Sequence, residues 1–357
     1  MGVKRLAVSI GIDLGGTNIK FGLVTADGKI LSRLNIPTSA EEGPKSVVSR
    51  IIKTIRHLAS SLSSSGEFVG TDSSVPARLK SCLQFSSQPH RVNKVKVKSI
   101  GIGSAGLVNH RQGIIHFSPN LPGWKNIPLK KWIEDEVKAK VFVGNDANAF
   151  ALGEYCFGAG IGSSSLFGIT LGTGIGGGII FSGKLLLGIN QVAGEVGHTS
   201  INAFGPKCRC GNYGCLERYA GAEYIVERAI KQLKSQTGKR KPQNSTMLKL
   251  SKYNYSNITP EIISLAAKKE DRLAKAIIKE TGFYVGVGVA NVVSLIDPEI
   301  IVIGGGVSGF GKLLLDSIKK TVSERIMNFS GRKLKIVLSK LKDDAAILGA
   351  SQFEKFL

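Results

Sequence analysis

Three of the chain's five cysteines fall within eight residues, in CRCGNYGC at 208 to 215, and His198 precedes them with nine residues between. Cys208, Cys210 and Cys215, spaced C-x-C-x4-C, join His198 to make three thiolates and one imidazole. That is the donor set of a closed Cys3His zinc site. The odd cysteine count disfavours a disulfide framework, and an iron–sulfur cluster takes four thiolates. Gly211 and Gly214 supply the tight turns that three converging sulfurs require. Protein atoms fill all four positions, so the metal stays closed to substrate and its work is to staple a loop. At the edges of that loop stand Glu195 and Glu217. Carboxylates on a rigid frame suit a neutral polyol, whose adjacent hydroxyls they can grip in pairs. Either glutamate taken singly also reads as an ordinary exposed acid. Cys82 and Cys156 stand apart and read as plain cysteines.

A second group of chemically able residues lies in GNDANAFALGE at 144 to 154. Asn145 and Asp146 end an apolar strand and begin a helix, where either serves as an N-cap. The same place suits a general base, because strand ends in α/β sheets present catalytic groups. An aspartate that accepts the proton of an alcohol recurs in phosphoryl transfer.

Two glycine-rich segments then repeat one pattern, IGIDLGGTNIKFGLV at 10 to 24 and FGITLGTGIGGGIIF at 167 to 181. Each runs apolar strand, an oxygen-bearing residue (Asp13 or Thr170), leucine, a Gly/Thr tip and a second apolar strand. One such hairpin is explained by turn chemistry alone. Two, one in each half of the chain, suggest duplicated domains gripping phosphate with backbone N–H groups. Gly172, Gly174 and Gly177 also fit G-x-G-x-x-G, but a dinucleotide fingerprint must open a helix, and a strand-like IIF follows instead. A third glycine turn, IIVIGGGVSG at 300 to 309, reads either as a strand-to-helix connection or as a shelf for adenosine.

The elements that must position these groups alternate. Periodicity predicts strands at 6–12, 20–24, 29–34, 97–103, 140–143, 165–170, 178–181, 299–303 and 334–338. Helices are predicted at 43–62, 128–138, 147–157, 220–235, 260–268, 272–296, 310–328 and 344–355. Residues 63–96, rich in Ser, Pro, Gln and Asn, read as a surface insertion. A chain of 357 residues favours two domains. With 42% hydrophobic and 21% charged residues it has a globular composition. The apolar run after MGVKR is too short for a signal peptide. FYVGVGVANVVSLI from Phe283 is too short to span a bilayer and reads as a buried helix. A cytoplasmic protein without a membrane partner is the expectation. The net charge of +22 comes from 48 basic against 26 acidic residues. Its local clusters are KVKVK at 94–98 and QTGKRKPQ at 236–243, with no arginine-rich run among aromatics. A basic, solvated surface that favours anionic substrates is expected rather than a nucleic-acid site.

DLGGTNIK at 13–20, GNDANAFALGE, LGTGIGGG at 171–178, GEVGH at 194–198 and CRCGNYGCLE at 208–217 together resemble the ROK family of repressors, open reading frames and sugar kinases. The likeness runs from about residue 6 onward. It implies an α/β, actin-like ATPase (ribonuclease H-like) fold, two domains around a central cleft. The N-terminal domain would be 1–143, with the insertion on its surface and the helix at 344–357 packed back on it. The larger domain, 144–343, would carry the sugar site, the zinc loop and the adenosine site. By resemblance Asp146 is the catalytic base on a sugar's 6-hydroxyl, and Asn120, Asn145, Asp146, Glu195, His198 and Glu217 touch the sugar. Gly15, Gly16, Thr17, Lys20, Thr170, Gly172, Thr173 and Gly174 line the ATP phosphates. Asp13 lies near Mg2+, Gly304, Gly305 and Gly306 form the adenosine shelf, and His198, Cys208, Cys210 and Cys215 hold zinc. His198 would then bind metal with one ring nitrogen and touch sugar with the other.

The resemblance implies ATP-dependent phosphorylation of a hexose, glucose first, with N-acetylglucosamine, N-acetylmannosamine and fructose as alternative substrates. Members usually form dimers or tetramers. A sugar-responsive repressor is the reading from another class. Such members place a helix-turn-helix before the first strand, which is expected here at about residue 6. Ser104-Ala105 in GIGSAGLV departs from a pattern that more often has proline before the second glycine.

Overall fold

The computed structural model describes residues 6–60, 83–85, 95–235, 245–327 and 329–357. Cys82, QTGKRKPQ, Lys94 and most of the 63–96 insertion lie outside the described residues. The strands, in chain order, are β1 Leu6–Leu14, β2 Asn18–Thr25, β3 Ile30–Pro37, β4 Leu83–Phe85, β5 Val95–Ser104, β6 Leu107–Asn109 and β7 Ile114–Phe117. They continue with β8 Lys125–Ile127, β9 Lys140–Asn145, β10 Leu166–Leu171, β11 Ile175–Phe181, β12 Lys184–Leu185, β13 Ile300–Gly304 and β14 Lys335–Leu338.

Two sheets share one plan. The first runs β4-β3-β2-β1-β5-β9 and the second β12-β11-β10-β13-β14. In the first, the hairpin β1–β2 is antiparallel and β5 and β9 add parallel to β1. In the second, β13 and β14 add parallel to β10 in the same sense. Asp13 sits opposite Gly103 and Thr170 opposite Gly304, so the repeat read from the sequence extends to the register. Parallel strands are buried on both faces and read as continuous β-branched runs, which is the pattern of IIVIG in β13. No helix follows Gly172–Gly177; β11 does, and the dinucleotide reading falls.

Contacts gather the chain into two compact units: residues 1–162, 178–193 and 343–357 in one, and 163–177 and 194–342 in the other. This differs from the expected division after residue 143. The helix Asp146–Phe157 lies with the first unit because its small residues are packed against that unit's own parts. Ile10, Ile12, Phe21, Ile51, Ile100, Ile102, Trp124 and Val143 belong to one apolar cluster there. The amphipathic helix Pro44–Ser60 contributes Val47, Val48, Ile51 and Ile55 to it.

The first unit is closed by Ala345–Ala350, a six-residue helix seated with almost no side chain between backbones. A methyl group on Gly349 would lie 1.7 Å from the Ala149 carbonyl oxygen, and one on Gly153 2.0 Å from that of Ala345. Gly11 and Gly101 stand equally close to Ile347 and Ala350. The predicted helix at 344–355 is in fact two, Ala345–Ala350 and Phe353–Phe356, with Ser351 and Gln352 between them. The small sheet β6-β7-β8 was not foreseen, because three-residue strands carry no periodicity.

The second unit is built on Arg272–Ile296, capped by Asp271, which accepts from the N–H of Ala274 at 3.0 Å. It alone among the described residues is long and apolar enough to cross a membrane. Its apolar face is instead occupied. Gly282 and Gly286 let helix Lys312–Arg325 approach, and Gly288 receives Leu216. The buried-helix reading of FYVGVGVANVVSLI therefore holds.

Gly349→Ala is expected to destabilise the protein by about 3 kcal/mol, the upper range for overpacking a tight core. Urea unfolding with an unchanged midpoint would show that the backbone contact yields without cost.

Candidate active site

In the first unit, the tip of the β1–β2 hairpin is held from behind. The Thr38 hydroxyl donates to the Gly15 carbonyl at 2.7 Å, and the Thr38 N–H to the Thr17 carbonyl at 2.8 Å. A trans peptide points its N–H opposite its C=O. Tying back the Gly15 carbonyl therefore turns the N–H of Gly16 outward, as an anion site requires. Gly16 also lies against Asn120, where a methyl group would meet the Asn120 carbonyl at 2.7 Å. A residue expected on phosphate and one expected on sugar are thus neighbours.

Asp13, near the hairpin's end, pairs across the ladder with Lys20. Lys20 in turn lies 3.8 Å from Asp343. Burial pushes the Asp13 carboxyl up to about 6, helped by the charge of Asp146 and opposed by Lys20. Asp146 opens the helix Asp146–Phe157 directly beyond β9 and is raised above the ordinary carboxylate range, mainly by burial. Its Oδ1 accepts from the N–H of Ala147 at 2.9 Å, which works in the other direction.

Asn145 is the helix cap: Oδ1 accepts from Ala147 and Asn148, and Nδ2 donates to the Gly106 carbonyl at 3.3 Å. An amide carries two N–H donors, so one remains for a ligand. Gly106 has φ 106°, and a methyl group there would strike the Phe117 carbonyl. The unusual Ser104-Ala105 pair thus immediately precedes the carbonyl that positions Asn145.

In the second unit, Thr170 ends β10 and the turn Gly172–Gly174 follows. The N–H of Gly172 donates to the Gly174 carbonyl at 2.9 Å, and the N–H of Ala222 holds the Gly172 carbonyl at 2.9 Å. This repeats the first hairpin's device, with Thr173 turned outward and exposed. Gly305, at φ 82°, lies against Leu171, where a side chain would meet the Leu171 carbonyl at 2.3 Å. A side chain at Gly306 would meet nothing within 4 Å, so that end of the Gly304–Gly306 turn is open.

His198 ends the short turn Val196–His198, and Glu195 stands exposed at its start. His198 Nδ1 lies 3.8 Å from Cys208 Sγ, and the Cys210 and Cys215 sulfurs are 3.7 Å apart. All four donor atoms fall within 4.8 Å of one another. Zn–S bonds of about 2.3 Å place sulfurs roughly 3.8 Å apart around a tetrahedral ion, so the donor set fits zinc. Gly211 and Gly214 both have positive φ, as the turns demand.

Glu217, expected as a sugar contact, also makes a bond that no local pattern announces. Its Oε2 accepts from the N–H of Ile175, the residue just after the glycine turn, at 3.0 Å. Ile175, Ala222 and Gly197 were all missed as site residues. Only Gly197, inside GEVGH, carried a signal, since a side chain there would strike the Ile175 carbonyl at 2.1 Å.

The ROK family profile matches residues 71–355. The chain is 36% identical to a glucokinase of Thermotoga maritima over 97% of its length and 96% of that protein. It is 38% identical to a xylose repressor of Caldicellulosiruptor bescii over 71% of its length and 61% of that protein. A solved ROK family glucokinase from Streptomyces griseus, in complex with glucose and AMPPNP, superposes with a TM-score of 0.77 at 32% identity, covering 97% of this chain and 98% of that one.

A carboxyl raised toward 6 destabilises the folded state above that pH, because folding then buries charge; below the unfolded value of about 4 the penalty disappears. Asp13→Asn is accordingly expected to raise the melting temperature at pH 7.5 and to have progressively less effect toward pH 4. An equal shift at both pH values would remove the electrostatic cause.

Proposed function

The chain belongs to the ROK family, and from that premise we propose that it transfers the γ-phosphoryl group of ATP to the 6-hydroxyl of a hexose, glucose first. The reading is carried by Asp146, a carboxylate at the start of its helix whose raised pKa makes it a stronger base near neutral pH. The proton of the 6-hydroxyl passes to Asp146. The hydroxyl oxygen bonds to the γ-phosphorus, the bond from that phosphorus to the bridging oxygen breaks, and ADP leaves.

The two hairpins bind the phosphates through the N–H groups of Gly16 and Thr173, and Thr17 and Thr173 add hydroxyls. Lys20, paired across from Asp13, supplies positive charge at the same place. Asp13 would hold Mg2+ through water; when bound, the ion supplies neutralising charge to the phosphate oxygens. Gly304, Gly305 and Gly306 seat adenosine. Asn120, the spare N–H of Asn145, Glu195, Glu217 and His198 Nε2 orient the sugar. His198 Nδ1 with Cys208, Cys210 and Cys215 would hold zinc, whose chemistry there is structural.

A coupled ADP-release assay with Mg-ATP across glucose, N-acetylglucosamine, N-acetylmannosamine, mannose and fructose tests the reading. Glucose is expected to lead. Asp146→Asn is expected to lose roughly 100- to 10,000-fold in turnover while keeping sugar affinity, the usual contribution of a general base. Turnover of that variant near the parent's value would remove Asp146 from the reaction. Sugar binding without turnover in the parent would move the protein toward the repressor-type relatives. For the metal, one zinc per chain is expected by atomic emission. Cys210→Ser should lower both zinc content and melting temperature, and equal values in both would exclude the staple.

A further inference from the structure

Two motifs, 22 and 42 residues further along the sequence, converge on Ile175 of the second hairpin. The Ile175 N–H donates to Glu217, and the Ile175 carbonyl is where Gly197 of GEVGH makes its close approach. One residue earlier, Gly174 lies so near that a methyl group on it would be 2.7 Å from Glu217 Oε2. The other side of the turn is held from the same segment, by the Ala222 N–H on the Gly172 carbonyl. Residues 217–222 thus clasp the turn 172–175 at both ends.

That clasp is itself anchored in the cysteine loop. The Leu216 N–H donates to the Thr199 carbonyl at 3.0 Å and the Ile201 N–H to the Gly214 carbonyl at 2.9 Å. The carboxylate follows the last cysteine by two residues, so the loop's fixed geometry is passed to Glu217 and from it to the turn.

We infer that Glu217 is a positioning residue for the nucleotide as well as a sugar contact: Oε2 fixes the phosphate-binding turn through the Ile175 N–H, leaving Oε1 for the sugar. The inference rests on the hexokinase reading above. Its physical content is that one carboxylate spans two subsites. A sugar hydroxyl on Oε1 restrains the rotation of the carboxylate and so tightens the turn that receives ATP. The two substrates then bind with positive coupling, although no atom of Glu217 touches the nucleotide.

The test is calorimetric binding of the non-hydrolysable analogue AMPPNP with Mg2+, with and without glucose, to the full-length zinc-loaded protein and to Glu217→Ala and Glu217→Gln. The glutamine keeps an oxygen that can accept from Ile175 but removes the charge. Loss of one such hydrogen bond predicts about 5- to 10-fold weaker AMPPNP binding by E217A without sugar. E217Q should stay within about 2-fold of the parent for AMPPNP while losing sugar affinity. Equal AMPPNP affinity in all three proteins would overturn the inference, as would an equal loss in E217Q and E217A. Zinc content and melting temperature equal to the parent's are required of both variants, so that a misfolded E217A cannot mimic the result. Failure of the parent itself to bind AMPPNP would instead overturn the kinase reading.

Discussion

Contact between bare backbones governs this structure. Where Ala345–Ala350 meets β1, β5 and the helix Asp146–Phe157, carbonyl oxygens occupy the space that a side chain would need at Gly11, Gly101, Gly153 and Gly349. Such contacts hold the ends of β1 and β9 at a fixed separation, with no flexible side chain to absorb error. Asp13 and Asp146 stand at those two strand ends. Burial raises both carboxyls, and the charge of Asp146 raises Asp13 further. The alanines and glycines of AAILGA carry no chemistry of their own, but they set the geometry in which the carboxylates act.

The second recurring device is the tethered carbonyl. Thr38 ties back Gly15, and Ala222 ties back Gly172, so each glycine tip presents an N–H away from its tether. Because the anchors are a threonine in one case and a helix start in the other, the sequences around them differ while the peptide orientation is the same.

Legibility in the sequence followed the range of the interaction. The cysteine spacing, the two hairpins and the capping pair Asn145-Asp146 are local, and the structure has the donor atoms converging, both hairpins formed and Asn145 in the cap. The actin-like ATPase fold was legible through the joint motifs, and the solved relative bears it out. What stayed hidden spans long separations: the bond of Glu217 to Ile175 joins residues 42 apart, and nothing in either neighbourhood announces the other. The sheet β6-β7-β8 was hidden for another reason, since its strands are too short to show alternation. The helix break at Ser351-Gln352 lacks a glycine or proline to announce it.

The first unit is also discontinuous: 343–357 reach it only after residues 194–342, all of which belong to the second unit. During synthesis, which proceeds from the N-terminus, β1 and β5 must wait with uncovered glycine faces while the whole second unit is made. Until Ala345–Ala350 arrives, that face is an open apolar slot. A nascent chain of this architecture therefore closes its first unit late, and products cut before Ala345 would leave that glycine face uncovered.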